Sequence, residues 1–314
     1  MAIIMVIAGL ILLPLAADWL VRGATALARR FGIPDVLIGL TVVAIGTSAP
    51  ELVTGVLAAL QGAPGIVLGN AVGSNIANLG LVLGAIALIG RIPVQQQLLG
   101  RDVPVMLGVM LITLIMALDG VINRIDGIIL VVILGGLTWW TIRQDKQKPP
   151  TVISAEDVGS ATPGQFGWLS ILALVGGIAG LAGGAELLVR GATSLATTIG
   201  VSNTVIGATV VALGTSLPEL AASFAAARQK HYGLMLGNLV GSCQFNLAAI
   251  VGIPALIRPL GADQTMLCMH IPAMMIMALA AWYMLSSYKT VRRREGLVLL
   301  LMYIVYIALT VILA

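Results

Sequence analysis

The sequence predicts an all-α polytopic membrane protein of ten transmembrane helices in two inverted five-helix repeats. Three observations predict it. The 314-residue chain is 59% hydrophobic and only 10% charged, with a mean hydropathy of +1.05, whereas a soluble chain carries about 25% charged residues. Apolar stretches of roughly 20 residues, long enough to cross a bilayer core, recur along the whole chain. One segment occurs twice: residues 37–51 read LIGLTVVAIGTSAPE and residues 205–219 read VIGATVVALGTSLPE, identical at eleven of fifteen positions with an offset of 168.

The elements follow in order. The first span, 2–21, runs from Met1 straight into apolar sequence with no basic region before it, so it reads as a spanning helix and not a cleavable signal. Spans 36–60 and 66–90 carry the first copy of the repeated motifs, and 103–119 and 126–142 complete the first half. Residues 143–167, with Pro, Ser and Lys and the acids Glu156 and Asp157, read as a cytoplasmic linker. An ion-binding regulatory segment would hold more acidic residues. The second half repeats the plan at 168–189, 203–227, 234–257, 266–286 and 295–313. The expected organisation is therefore a first repeat over 1–142 (motif 39–84), the linker 143–167, and a second repeat over 168–314 (motif 207–252).

Basic residues set the orientation. With the N-terminus outside, the inner loops hold Arg22, Arg29, Arg30, Arg91, Arg101, Arg143, Lys146, Lys148, Arg228, Lys230, Lys289, Arg292, Arg293 and Arg294. That is 14 of the 17 Lys and Arg residues, leaving Arg124, Arg190 and Arg258 outside. Such a bias places both termini outside. It also accounts for the pI near 9.3 without nucleic-acid binding. Cys243 and Cys268 fall in apolar stretches and read as reduced and structural.

The repeat extends beyond its core segment. Asp18-x-x-Val21-Arg22-Gly23-Ala24-Thr25 matches Glu186-x-x-Val189-Arg190-Gly191-Ala192-Thr193, and Gly69-Asn70-x-x-Gly73-Ser74 matches Gly237-Asn238-x-x-Gly241-Ser242. Five spans per half is an odd number, so the second half must enter the membrane upside down. Asp18 with Arg22, and Glu186 with Arg190, are spaced i, i+4 and read as interfacial ion pairs.

Glu51 and Glu219 lie near the middle of apolar spans, where an ionisable group is costly and marks an ion or proton pathway. Pro50 removes a helical hydrogen bond just before Glu51, and Pro218 does the same before Glu219. Broken helix at membrane depth is tolerated where it lines a protein cavity. Thr47, Ser48 and Glu51 fall on one helical face, as do Thr215, Ser216 and Glu219. Asn70, Ser74 and Asn78 are spaced by four, and so are Asn238, Ser242 and Asn246. Asn70 and Asn238, nearer the helix starts, suit packing or capping better than ion contact. The Gly69/Gly73 and Gly237/Gly241 pairs have small-xxx-small spacing. Carboxylates, hydroxyls, amides and carbonyls are hard oxygen donors, suited to Ca²⁺, Na⁺, K⁺ or Mg²⁺ and not to zinc or copper.

GTS-x-PE twice, each followed by GN-x-x-GS, resembles the two α-repeats of the sodium/calcium exchanger (calcium:cation antiporter) family, prokaryotic type, over nearly the whole chain. The resemblance implies secondary active antiport of Na⁺ against Ca²⁺ by alternating access, with both ions at a shared midplane site in the cytoplasmic membrane. It implies no enzyme activity, no cofactor and no obligatory protein partner. Its ligands fall on Thr47, Ser48, Glu51, Ser74 and Asn78, on Thr215, Ser216, Glu219, Ser242 and Asn246, and on the carbonyls of Ala44 and Ala212. The second half departs from the pattern, with Cys243 where Asn is usual and Gln244 where an apolar residue is usual. Some relatives carry Asp at the position of Asn246. A Ca²⁺/H⁺ antiporter or a K⁺-dependent exchanger would use the same fold and similar acids. An intramembrane hydrolase would need a His or Lys base beside a serine. His231 and His270 both lie outside the motifs. A passive channel would not need mirrored acids in opposed halves.

Overall fold

The computed structural model describes residues 1–146, 168–199 and 212–313. Most of the linker (147–167) and the first part of the seventh expected span (203–211) lie outside the described residues. The described chain is helical: α1 (Ala2–Phe31), α2 (Asp35–Thr47), α3 (Ala49–Leu60), α4 (Pro64–Ile89), α5 (Leu98–Ala117), α6 (Arg124–Lys146), α7 (Trp168–Thr198), α8 (Ala212–Thr215), α9 (Leu217–Arg228), α10 (Tyr232–Ile257), α11 (Met266–Ser287) and α12 (Arg293–Leu313). Among the described residues, eight helices are long and apolar enough to cross a membrane, and the bent pair α2–α3 makes a ninth. Each coincides with an expected span. Helices α1 and α7 are longer than a span requires, at 30 and 31 residues.

Helix ends follow from local sequence. Gly32 closes α1 in the left-handed conformation (φ 61°, ψ 31°), its amide donating back to Arg29. Asn123 caps α6, its Oδ1 accepting from the amide of Ile125, while Asp126 reaches back to the Asn123 amide at 2.8 Å. Glu295 does the same for the amide of Arg292 before α12.

The chain divides into two compact units, one of Met1–Thr47 with Thr138–Asn238, the other of Ser48–Leu137 with Leu239–Ala314. In the first, α1 and α7 pack at backbone distance. A Cβ on Gly23 would sit 2.5 Å from the Leu174 amide nitrogen, and one on Gly177 equally near that of Leu20. Leucine-rich faces could not approach so closely. Helix α2 meets the start of α10 in the same way: Gly39 faces the carbonyl of Leu234, and Gly237 faces that of Val36. This is the close contact expected of Gly237. For Gly69 and Gly73 no described residue comes within 4 Å of the Cβ position. Asp18 is engaged across elements, contrary to the i, i+4 expectation. Its Oδ1 accepts from Gln229 Nε2 at 3.0 Å, and Arg228 lies 3.6 Å from its Oδ2. The turn after α9 supplies donors that an exposed same-helix pair, worth only about 0.3–0.5 kcal/mol, does not outcompete. Glu186 and Arg190 do pair on α7 as expected.

In the second unit the contacts come in exchanged pairs. The two-residue strand β1 (Ile92–Pro93) pairs with β4 (Thr290–Val291), and β2 (Val121–Ile122) pairs with β3 (Leu260–Gly261), both antiparallel. Gly84 on α4 faces the Gly296 carbonyl on α12, and Gly127 on α6 faces the Gly252 carbonyl on α10. In each case one half's first element meets the other half's second. The short strands were not foreseen from sequence, because two residues carry no periodicity. The core holds Leu68, Ile76, Leu83, Met106, Met110 and Leu130. Met274 and Met277 are buried as well.

Candidate ion-binding site

The repeated motifs adopt one local geometry twice. Ser48 (φ −91°, ψ 5°) interrupts the helix between α2 and α3, and Ser216 (φ −88°, ψ 2°) interrupts it between α8 and α9. Pro50 and Pro218 occupy the first turn after each break, where a missing N–H costs nothing. Glu51 and Glu219 follow in that turn, each only 1% exposed. A first-turn carboxylate sits at the positive end of its helix dipole.

In the first unit, Ala44 and Thr47 form the last turn of α2, and both are buried. The Thr47 hydroxyl donates to Asn238 Oδ1 at 3.2 Å, with the Ala44 carbonyl 3.4 Å away. Asn238 in turn donates through Nδ2 to Ser223 Oγ at 3.1 Å. With its proton engaged, the Thr47 oxygen keeps a lone pair for another ligand. Ala212 and Thr215 lie on α8. Ser216 is buried, and its Oγ has no hydrogen-bond partner among the described residues.

In the second unit, Ser48 and Glu51 open α3, and Asn70 Nδ2 on α4 donates to the Glu51 carbonyl at 3.3 Å. Asn70 thus anchors a helix turn, as its position near the start of α4 suggested. Ser74 and Asn78 lie one turn apart on α4, and Ser242 and Asn246 likewise on α10. Both asparagines fall in π-helical turns, Ala77–Val82 and Asn246–Val251, features concentrated at functional sites. Among the described residues, Ser74 Oγ, Ser242 Oγ, Asn246 Oδ1 and both amide atoms of Asn78 are buried without a hydrogen bond. Asn75 is fully buried between the motifs. Its Nδ2 donates to the Cys243 carbonyl at 3.2 Å, and its Oδ1 accepts from Asn246 Nδ2 at 3.0 Å.

Sequence reading missed Asn75 and Ser223 as supports of the candidate ligands, while Asn238 packs as its place near the helix start suggested. The available signal was the mismatch of Asn75 with Cys243 at an offset of 168. Each unsatisfied buried polar group costs about 1–3 kcal/mol. Ser74 with Ser242, and Asn78 with Asn246, keep such groups at mirrored positions of the two motifs. Among the described residues no three His, Cys, Asp or Glu side chains cluster to hold a metal ion. Hydroxyl, amide and carbonyl oxygens are donors that suit hard ions.

The profile of the sodium/calcium exchanger protein family matches residues 1–143 and 169–312. The chain belongs to the sodium/calcium exchanger family. It is a family of membrane transporters, not enzymes. Among relatives, an uncharacterised membrane protein of Methanocaldococcus jannaschii is 36% identical over 96% of this chain and 95% of its own. The sodium/calcium exchanger MaX1 of Methanosarcina acetivorans is 30% identical, covering 95% of each chain. A solved structure of the sodium-calcium exchanger NCX_Mj, soaked with Na⁺ and Ca²⁺, superposes with a TM-score of 0.84 at 36% identity. It covers 98% of this chain and 97% of its own. In the present chain, the unusual Gln244 donates its Nε2 to the Asp102 carbonyl at 3.1 Å and so ties α10 to the start of α5.

Proposed function

We propose that this family member extrudes Ca²⁺ in exchange for Na⁺ by alternating access, binding both ions at one site near the membrane midplane. The proposed ligands are Thr47, Ser48, Glu51, Ser74, Asn78 and the Ala44 carbonyl, with Thr215, Ser216, Glu219, Ser242, Asn246 and the Ala212 carbonyl. The observation that carries this reading is the doubled set of buried oxygens without a hydrogen bond, with one buried glutamate in each copy of the motif. Ca²⁺ takes about 6–8 oxygen ligands, within what this set supplies. One ion excludes the other because both need the same glutamates, and this exclusion is what couples their movements.

Energetics favours three Na⁺ per Ca²⁺. Expelling Ca²⁺ against a gradient of about ten thousand-fold costs about 5.5 kcal/mol. Moving two charges against −100 mV costs about 4.6 kcal/mol more, roughly 10 in total. One Na⁺ entering down a gradient of about tenfold and the same potential supplies about 3.7 kcal/mol. Two fall short at about 7.4 kcal/mol, and three suffice at about 11.

The exchanged contact pairs of the second unit and the matching breaks at Ser48 and Ser216 support two five-helix repeats of opposite orientation, ten spans in all. We place the protein in the cytoplasmic membrane, and the bias of Lys and Arg supports both termini outside. The test is radioactive Ca²⁺ uptake into proteoliposomes preloaded with Na⁺, with choline, K⁺ and a pH gradient as controls. Uptake that requires internal Na⁺ and is lost in Glu51→Gln and Glu219→Gln supports the reading. Uptake driven by the pH gradient alone makes the chain a Ca²⁺/H⁺ antiporter, and an added requirement for K⁺ makes it a K⁺-dependent exchanger.

A further inference from the structure

We infer that Asn75 is a positioning residue that fixes the amide of Asn246 so that its oxygen is presented to the transported ion, and that the mirrored amide of Asn78 lacks such a support. The inference rests on the proposed ion site and names an asymmetry within it.

The chain of donors and acceptors has one solution. The carbonyl of Cys243 can only accept, so the Asn75 atom 3.2 Å from it must be Nδ2. The other amide atom of Asn75 is then Oδ1, which can only accept. The Asn246 atom 3.0 Å away must therefore be Nδ2. Asn246 Oδ1 is left pointing elsewhere, buried and without a protein hydrogen bond. Amide orientations are commonly a matter of choice between two near-equal fits. Here a backbone carbonyl removes the choice, and it does so through one intermediate side chain.

The same logic fails in the mirrored place. The counterpart of Asn75 at the offset of 168 is Cys243, and the counterpart of Asn246 is Asn78. A thiol has no amide oxygen with which to hold an Asn78 Nδ2. Both amide atoms of Asn78 are accordingly buried without a hydrogen bond. Asn246 is a pre-oriented oxygen, which costs no reorganisation when an ion arrives. Asn78 must select between nitrogen and oxygen each time. The substitution of Cys for Asn in the second motif thus shows its effect on the opposite motif. Asn75 and Asn246 are 0% and 1% exposed.

A double-mutant cycle tests this in proteoliposomes, reading half-saturating Ca²⁺ and Na⁺ and maximal exchange rate. Asn75→Leu keeps the branched shape and removes both the donor and the acceptor; Asn75→Ala is the second variant. Coupling between contacting residues corresponds to changes of about 2- to 100-fold. Either variant is expected to raise half-saturating Ca²⁺ about tenfold, with maximal rate within about twofold of the parent. In an Asn246→Ala background the same Asn75 changes should move affinity less than about twofold. In an Asn246→Asp background the carboxylate has no N–H to donate to Asn75 Oδ1, so the Asn75 changes should not weaken affinity there. Equal losses in the parent and Asn246→Ala backgrounds would make Asn75 merely structural and overturn the inference. So would unchanged affinity in Asn75→Leu where Asn246→Ala binds weakly. Unchanged affinity in Asn246→Ala itself would overturn the ion-site reading first, and this inference with it.

Discussion

Ser74 and Ser242 carry hydroxyls that are buried yet bonded to nothing among the described residues. A structural serine loses a hydrogen bond on truncation and destabilises the fold, whereas these have none to lose. Ser74→Ala is therefore expected to leave the melting temperature unchanged or slightly raised while weakening Ca²⁺ binding about tenfold, near 1.4 kcal/mol. Thermal unfolding in detergent and Ca²⁺ titration of one preparation check both halves of that statement. Asn238 behaves oppositely. It joins Thr47 to Ser223, so Asn238→Ala strands two buried hydroxyls and should cost about 1–3 kcal/mol of stability. The same thermal assay should show a lowered melting temperature.

The helices are joined by turns whose conformations repeat while their residues do not. Gly62 (φ 77°) and Gly120 (φ 86°) take left-handed backbone in the first half, where Lys230 (φ 62°) and Lys289 (φ 51°) take it in the second. A side chain in that region costs about 1–2 kcal/mol, partly offset because glycine adds about 0.4–1 kcal/mol of unfolded-state entropy. Lys289→Gly should raise stability by up to about 1 kcal/mol, read as a higher melting temperature with exchange unchanged. Close helix contact is less forgiving. A Cβ on Gly39 would stand 2.4 Å from the Leu234 carbonyl, so Gly39→Ala should lower the melting temperature and the yield of folded protein. Overpacking of this kind costs about 1–3 kcal/mol.

Three Na⁺ entering for one Ca²⁺ leaving carries one net positive charge inward, so the proposed cycle is electrogenic. A K⁺ diffusion potential set with valinomycin, negative on the side from which Ca²⁺ leaves, should speed Ca²⁺ efflux. An exchange of two for one would ignore the potential. Orientation has its own test. A cysteine at Ala2, in a background freed of Cys243 and Cys268, should react with a membrane-impermeant maleimide on intact cells if the N-terminus is outside. The chain also forms no disulfide, with Cys243 buried and Cys268 exposed.

Much was legible without coordinates because lipid imposes strong rules on sequence. Span length, the run of apolar residues and the duplicated GTS-x-PE segment located the helices, the breaks and the two buried glutamates, since a bilayer leaves backbone few other ways to be satisfied. Asn75 shows where that reading ended. From sequence it is one more amide in a repeated motif, spaced off the Ser74 and Asn78 face. Only the tertiary structure brings it against the Cys243 carbonyl and Asn246, 168 and 171 residues away. The exchanged strands β1–β4 and β2–β3 were likewise decided by packing, as was the partner choice of Asp18. Local sequence determined what each segment of this protein is, because helix, break and membrane depth depend on near neighbours. The hydrogen bonds that orient one amide and leave its mirror image unsupported depend on which distant residues share a face, and that only the folded chain decided.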